Sequence, residues 1–172
     1  MKKKTVISGT PNGDGCGLSI DMTDAMLDKA HRNLEVGSLS NVSFKKGFAE
    51  SLPLDDESFD VVISNGVINL SPVKETVFAE IHRVLVPGGR LMFSDIVTGV
   101  ELPDSVRDNC ALWAECIGGA QESQRYLRLI EKAGFKIEKT SQNDAYSFSQ
   151  DSTQNAATKF RVHSISILAR RL

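Results

Sequence analysis

The chain has 172 residues, of which 41% are hydrophobic and 24% are charged, and its formal net charge is −2. This composition is typical of one globular domain with a sizeable core. It gives no basic field that would attract nucleic acid, and no apolar run approaches the ~20 residues that a membrane span needs. We therefore expect neither nucleic acid nor a membrane as a partner.

The cysteines are sparse. There are three of them, Cys16, Cys110 and Cys116, and none forms a CxxC pair. Such usage indicates a reducing, cytoplasmic setting and gives no pattern for a metal centre. The first residues are basic but lack the apolar stretch of a secretory signal.

The first half of the chain alternates between strand and helix patterns. Residues 5–8 predict a short strand, and the glycine-rich residues 9–17 predict a loop. A second strand at residues 17–21 ends in Asp21, and a helix follows to about residue 34, capped by Thr23 and ended by Gly37. Residues 42–45 predict a third strand, and residues 47–57 predict a polar loop.

Residues 61–95 are the most informative segment, VVISNGVINLSPVKETVFAEIHRVLVPGGRLMFSD. An apolar run ends near Asn65, a helix covers residues 74–85, and a tight turn at residues 87–89 leads into a strand that ends in Asp95. In parallel sheets, ligands bind beyond the carboxyl ends of the strands. Asn65 and Asp95 are expected at that edge.

The second half predicts one or two helices between residues 103 and 118, a helix at 123–133 and a strand at 135–139. Residues 162–169 alternate clearly, which predicts a last strand at a sheet edge or in a hairpin. The fold class is therefore α/β, with a mostly parallel sheet and an antiparallel C-terminal strand. We expect a single domain over residues 1–172, with an atypical segment at 1–16.

Five residues are candidates for chemistry, and each has an alternative interpretation. Asp21 either binds a ribose diol or caps the next helix, and Glu50 either meets an adenine edge or is a solvated acid. Asn65 either positions a substrate or closes a turn, while Gly66 permits either close backbone approach or a positive φ. Cys116 lies before two glycines as either a soft-metal ligand or a packed thiol.

Several motifs resemble a known family. IDMTDAMLDKA (20–30), GFAESLPLDDESFDVVISN (47–65) and HRVLVPGGRLMFSD (82–95) resemble class I S-adenosylmethionine-dependent methyltransferases. Within that class, SNGVINLSP (64–72) and LWAECIGGA (112–120) resemble the arsenite methyltransferases. The resemblance extends over about residues 17–134.

The resemblance implies a Rossmann-like sheet, S-adenosylmethionine as cofactor and methyl transfer to a small-molecule acceptor, for which arsenite is a candidate. Residues 17–95 would form the cofactor half, and residues 96–172 the acceptor side and C-terminal strands. The implied cofactor-binding residues are Asp21 at the ribose, Met22, Ala49 and Glu50 at the adenine, and Asn65 with Gly66 near the methionine moiety. Cys116 would be catalytic, as one of the thiolates that bind trivalent arsenic.

The start of the chain departs from this family, whose members begin with a strand, a GxGxG turn and a helix. Here GDGCG (13–17) runs directly into the second strand, although a complete βαβ unit takes about 30 residues or more. We therefore expect residues 1–16 to be a truncated or replaced start, whose strand fills the first slot antiparallel to residues 17–21. The family also usually has a cysteine where this chain has Gly66, so that only Cys116 is retained.

Two functions follow from these patterns. One is a methyltransferase with a shortened cofactor site, and the other is an inactive remnant of the fold that acts as a binding or structural module. The missing βα unit would leave apolar sheet surface uncovered, which predicts that the chain can form a homodimer.

Overall fold

The computed structural model describes residues 4–8, 17–38, 40–114, 116–143 and 151–172. The strands described there are β1 (Lys4–Ser8), β2 (Gly17–Asp21), β3 (Val42–Lys46), β4 (Phe59–Asn65), β5 (Leu85–Thr98), β6 (Gln121–Glu122), β7 (Phe135–Asn143) and β8 (His163–Arg171). The helices are α1 (Asp24–Gly37), α2 (Lys74–Val84), α3 (Asp104–Arg107), α4 (Cys110–Ala114), α5 (Ser123–Lys132) and α6 (Asp151–Phe160). A 3₁₀ turn covers Ile68–Leu70.

The strands form one sheet in the order β3-β2-β1-β4-β5-β8-β7, and β6 pairs with β5. The pairs β2–β3, β4–β5 and β5–β6 are parallel. Within the described sheet, β1 and β8 run in the direction opposite to the other strands, so each is antiparallel to both of its neighbours. The predicted α/β fold, mostly parallel with an antiparallel strand near the C-terminus, is therefore confirmed.

Strand β1 occupies the slot between β2 and β4, antiparallel to both, as the sequence predicts. Its register pairs Thr5 with Ile20 on one side and Val6 with Ile63 on the other. Most of the glycine-rich loop that would join β1 to β2, residues 9–16, lies outside the described residues.

The main core lies between the sheet and the helices α2 and α5. Helix α2 buries the apolar positions that the helical period predicts, namely Val77, Phe78, Ile81 and Val84. Helix α5 buries Tyr126, Leu129 and Ile130. The rings of Phe78, Phe93 and Tyr126 meet with centroid distances of 5.7 to 6.1 Å, an arrangement that favours edge and tilted contacts.

A smaller core joins the loop after β5 to α6. It contains Ile96, Leu102, Val106, Ile117 and Phe160. Because Ile117 is fully buried there, the segment after Cys116 is anchored to the end of β5. This smaller core holds the loops after β5 in position beside the strand ends.

One prediction about the strands is wrong, and a second is right in only one of its two alternatives. The segment Pro87-Gly88-Gly89 is not a tight turn before a strand, because it lies within β5 as a bulge. Leu85 pairs with Phe59 and Arg90 pairs with Val61, so β5 has extra residues between these two pairs. Gly88 takes the positive φ of +77° that this irregularity requires. Strand β8 is not at an edge, since it lies between β5 and β7 and is antiparallel to both, as a hairpin partner of β7 would be.

The ends of α1 also differ from the prediction. Thr23 is the residue before the helix, but its side chain makes no capping bond to the helix backbone. The helix extends to Gly37, and the left-handed residue that ends it is Ser38, with a φ of 49°. Helix α1 has no buried residue, so its apolar face is only partly covered.

The second face of the sheet carries apolar side chains in its middle strands. Val61, Ile63 and Leu168 are partly exposed, and Met92 on β5 is 48% exposed. Among the described residues, no helix combines the length and the apolar character required to cross a membrane.

Candidate functional site

A small cavity opens where the carboxyl end of β2 meets the loop after β3 and the 3₁₀ turn after β4. We call it the Asp21 cavity, and its volume is about 50 Å³. Its walls are formed by Ile20, Asp21, Met22, Gly47, Ala49, Glu50, Val67, Leu70 and Ser71. Asp21, Met22, Ala49 and Glu50, which the resemblance assigns to the cofactor, therefore share one cavity.

Asp21 ends β2, and local hydrogen bonds hold its carboxylate. One oxygen, Oδ1, accepts bonds from the backbone N–H of Thr23 at 2.8 Å and from the Thr23 hydroxyl at 2.7 Å. The hydroxyl that would have capped α1 thus orients the acid instead. A carboxylate held through one oxygen keeps lone pairs on the other, which suits it to accept bonds from a vicinal diol.

The loop after β3 is fixed against Asp21 by its backbone. The N–H of Gly47 donates to the carbonyl oxygen of Asp21 at 3.1 Å. A Cβ at Gly47 would lie 2.6 Å from Cδ of Pro53, so a larger residue would force this loop away. Ala49 and Glu50 lie in the next turn, which is closed by a bond from the Ser51 N–H to the Phe48 carbonyl.

The opposite wall comes from the 3₁₀ turn, which a buried acid holds in place. Asp95, at the end of the β5 core face, is 2% exposed, and its Oδ2 accepts bonds from the Asn69 N–H at 3.1 Å and the Tyr126 hydroxyl at 2.9 Å. The Asn69 side chain donates to the Ile96 carbonyl. Asp95, predicted at the strand-end edge, therefore supports the wall and does not line the cavity.

Burial shifts the titration of this network. Loss of water raises the pKa of Asp95 to about 7, although the Tyr126 hydroxyl and the nearby Lys74 favour the ionised form. The same burial raises the pKa of Tyr126, whose hydroxyl donates a hydrogen bond to Asp95. The acid is therefore a group whose charge changes near neutral pH.

Asn65 and Gly66 do not line the Asp21 cavity. Asn65 ends β4 with an exposed side chain, and it pairs with Lys4 of β1 and with Ser94 of β5. Strand β1 thus lies between Asn65 and the end of β2. Gly66 has a φ of +65°, and its N–H donates to the Ser94 carbonyl at 2.9 Å.

Cys116 lies against the loop that follows β4. It is 9% exposed, its φ is +66°, and its Sγ lies 3.8 Å from the carbonyl oxygen of Gly66. Cys110, in contrast, is exposed on α4. Within the described ranges, no group of three or more His, Cys, Asp and Glu side chains is arranged to hold a metal ion.

The sequence interpretation missed the second wall of the cavity. Val67, Leu70 and Ser71 were assigned no role, although they fall inside the motif SNGVINLSP. A signal was present, since Gly66 ends a strand and a short apolar run before Pro72 must pack against something. This apolar run is too short for a helical or strand period to show which of its side chains point toward the strand ends.

Three comparisons with known proteins bear on this site. The family described as "Methyltransferase domain" matches residues 9–134. The chain is 40% identical to the arsenite methyltransferase of Halobacterium salinarum over 123 residues, which is 72% of this chain and 32% of that protein. It is also 40% identical to the human arsenite methyltransferase over 139 residues, which is 76% of this chain and 37% of that protein.

Solved structures are similar too. The crystal structure of an arsenic(III) S-adenosylmethionine methyltransferase from Chlamydomonas reinhardtii matches with a TM-score of 0.70 and 34% identity, over 89% of this chain and 54% of that one. A geranyl diphosphate methyltransferase in complex with S-adenosylmethionine matches with a TM-score of 0.75 at 15% identity, over 94% and 71%, which supports the fold alone. The chain spans about a third of the length of the curated relatives named above.

Proposed function

This chain belongs to the methyltransferase domain family, and from that premise we propose that the Asp21 cavity binds the nucleoside part of S-adenosylmethionine. The observation that carries the proposal is the convergence of Asp21, Met22, Ala49 and Glu50 on one cavity. A carboxylate at the end of the second strand accepts bonds from ribose hydroxyls in related α/β folds. The apolar side chains of Met22, Ala49 and Leu70 suit the faces of an adenine ring.

The residues of the cavity fit the adenosine half of the cofactor by their chemistry. Its volume of about 50 Å³ is well below the ~300–1,000 Å³ of pockets that enclose whole drug-sized ligands. A cavity of this volume encloses only part of a nucleoside, so we propose that the nucleoside lies over it, with Glu50 at the adenine edge and Asp21 at the ribose. Asn65 and Gly66, at the end of β4, are our candidates for the methionine moiety.

When bound, S-adenosylmethionine supplies a sulfonium methyl group, whose carbon–sulfur bond breaks as an acceptor lone pair attacks the carbon. The contribution of the chain is to bind and orient. We propose that Thr23 fixes the carboxylate of Asp21, while the Asp95–Asn69 bond fixes the opposite wall. Two walls held in this way reduce the motion that a bound nucleoside must lose.

For the acceptor, we propose a small molecule that reaches the buried thiol of Cys116. Arsenite remains a candidate because trivalent arsenic is soft and prefers sulfur. The burial of Cys116 against the Gly66 carbonyl and the exposure of Cys110 favour a single thiol at this position. Arsenite titrated against Cys116→Ser and Cys110→Ser variants tests this, and an equal response of both variants to arsenite would rule out a role for Cys116.

One observation favours the alternative of a non-catalytic binding module. Strand β1 runs antiparallel in the slot between β2 and β4, where the family has a parallel strand followed by a glycine-rich turn. A module of this kind would bind nucleoside without transferring methyl groups. The two functions differ in turnover, so binding and transfer must be measured separately.

Calorimetric titration with S-adenosylhomocysteine tests the proposed binding. We expect measurable heat with the wild-type chain and at least about tenfold weaker binding by Asp21→Asn, because a charged acceptor of hydrogen bonds is lost. Asp28→Asn is the matched control, since it removes an exposed carboxylate on α1 that does not line the cavity, and it should leave binding unchanged. The absence of heat at millimolar ligand would contradict nucleoside binding, and binding without transfer of a labelled methyl group would support the module.

Two further expectations accompany this proposal. The partly exposed apolar face around Met92 supports a homodimer, which light scattering at high concentration would test. A clean monomer would reject it. The cytoplasmic setting inferred from the cysteines stays a prediction.

A further inference from the structure

A second and larger cavity lies on the far side of the 3₁₀ turn from the Asp21 cavity. Its volume is about 190 Å³, and we call it the Trp113 cavity. Its walls are formed by Pro72, Lys74, Glu101, Leu102, Arg107, Trp113, Gly118, Gly119, Ala120, Gln121, Glu122 and Arg125. The two cavities share no lining residue, since one ends at Ser71 and the other begins at Pro72.

Lys74 is the unusual residue in this cavity, because it is a lysine with only 3% exposure. Its ammonium donates to the carbonyl oxygens of Asn69 at 3.2 Å and Ser71 at 2.9 Å, and it lies 6.0 Å from the centroid of the Trp113 ring. These partners are neutral. Within the described part of the chain, no carboxylate lies within ion-pair distance of Lys74, although buried Asp95 acts on it at longer range.

Burial disfavours the charged form of Lys74, and the pKa of its ammonium is lowered as a result. Loss of water lowers its pKa to about 8, although the charges of Asp95, Glu75 and Cys116 favour the protonated form. A buried ammonium that keeps its charge at neutral pH without an ion-pair partner favours an anion beside it.

The acids on the rim are already engaged by other groups. Glu101 accepts from Arg107 at 2.9 Å and from Arg125 at 3.4 Å. Glu122 caps α5 by accepting from the N–H groups of Gln124 and Arg125. The lining therefore contains three cationic and two anionic side chains, and the cation that lacks an anionic partner is Lys74.

We propose that the Trp113 cavity binds a small organic carboxylate, with the carboxylate at Lys74 and the apolar part against Trp113, Leu102 and Ala120. The volume limits the ligand to one smaller than a typical drug. A single buried ammonium beside an aromatic ring suits one negative charge on an apolar body, whereas a phosphate dianion would require more donors. Nothing in this assignment depends on binding of a nucleoside in the Asp21 cavity.

The chain contains a single tryptophan, so its fluorescence reports directly on the wall of the cavity. We choose cyclohexanecarboxylate as the probe and cyclohexanecarboxamide as its neutral match, because neither absorbs where tryptophan is excited. We expect a saturable change in Trp113 emission with the acid, and at least about tenfold weaker binding of the amide, since only the acid forms a charged hydrogen bond. Equal affinity for both probes, or no saturable change with the acid, would overturn the proposal.

Two substitutions are expected to change the affinity in opposite directions. Lys74→Met removes the charge but keeps the apolar stem, and it should weaken binding of the acid at least about tenfold. Glu101→Gln removes the carboxylate that Arg107 and Arg125 share, and it should strengthen binding of the acid about threefold. Glu138→Gln is the matched control, because it breaks the ion pair between Glu138 and Arg170, neither of which lines the cavity. It should leave the affinity unchanged.

The two variants keep the proposal testable even if one of them fails to fold. Glu101 is an exposed side chain, so its substitution should fold even if Lys74→Met does not, which far-UV circular dichroism would reveal. If Lys74→Met folds and binds the acid as the wild type does, the proposal is refuted. If Glu101→Gln behaves like Glu138→Gln, the charge argument is wrong and the proposal is refuted as well.

Discussion

Replacing Asp95 by asparagine should change how the stability of the protein depends on pH. The carboxyl is 2% exposed, and burial raises its pKa from 3.8 to about 7. In the folded protein the acid therefore keeps its proton to a higher pH than in the unfolded chain. Its contribution to stability is fully present below pH 3.8 and is lost as the pH rises through about 7.

The size of the effect follows from linkage. Between the two pKa values, the free energy of unfolding should fall by about 1.4 kcal/mol for each pH unit. Across the whole window from 3.8 to about 7, the loss would reach roughly 4 kcal/mol. Asparagine can still accept the bonds from Asn69 and Tyr126 but does not titrate, so Asp95→Asn should lack this slope.

Urea unfolding followed by far-UV circular dichroism at several pH values between 4 and 7 measures the slope. Other groups titrate in this range, including His82, whose pKa is lowered by burial and whose contribution has the opposite sign. The informative quantity is therefore the difference between wild type and variant. Asp28→Asn on α1 is the matched control, because it removes an exposed carboxylate. Parallel wild-type and Asp95→Asn curves would refute the reasoning.

Two other substitutions, with Gly17→Ala as a control, test the wall of the Trp113 cavity. Gly119→Ala would bring a Cβ to 1.9 Å from the Asn69 carbonyl oxygen, so we expect a loss of about 3 kcal/mol in urea unfolding. Gly17→Ala, whose new Cβ would meet nothing closer than 3.6 Å, should change stability by less than about 1 kcal/mol, and equal effects would contradict the packing argument. Glu122→Ala removes the acceptor for the first N–H groups of α5 and should cost about 1 kcal/mol in thermal unfolding, whereas an unchanged midpoint would show that the cap contributes nothing.

The order of strands and helices was predictable because most elements carry strong local signals. The helical period gave the buried positions of α2, and the helix expected at 123–133 is α5, after which Gly134 takes a φ of +93°. The resemblance to arsenite methyltransferases is confirmed by relatives at 40% identity. Even the reversed direction of β1 followed from the short connection to β2, because residues 9–16 are too few for a crossover helix.

Long-range features were not predictable in the same way. The alternation of β8 reveals a strand, but it cannot reveal that β5 and β7 lie on either side of it. The turn expected at Pro87–Gly89 became a bulge because pairing with β4 continues on both sides of it. Lys74 begins an amphipathic helix, where a lysine is normally exposed, and only the fold of the preceding turn buries it.

The sequence indicated one wall of the candidate site and missed the opposite wall. Acidic residues at strand ends can be recognised because the sheet geometry fixes where they point. The opposite wall depends on Asp95, whose bond to Asn69 spans 26 positions of the chain and has no local signature. Asn65 lies apart from the cavity because β1 separates β4 from β2, a consequence of topology that side-chain chemistry does not reveal.

The reversed first strand has a mechanical consequence. Within the described sheet, every pairing that connects β2 and β3 to β4 passes through the five residues of β1. The Asp21 cavity straddles this junction, with Asp21 on one side and Val67 on the other. A ligand bound there would contact both sides of the junction, so its binding should slow amide hydrogen exchange in β1. By linkage, a change that favours opening of β1 should weaken binding of the ligand by the same free energy.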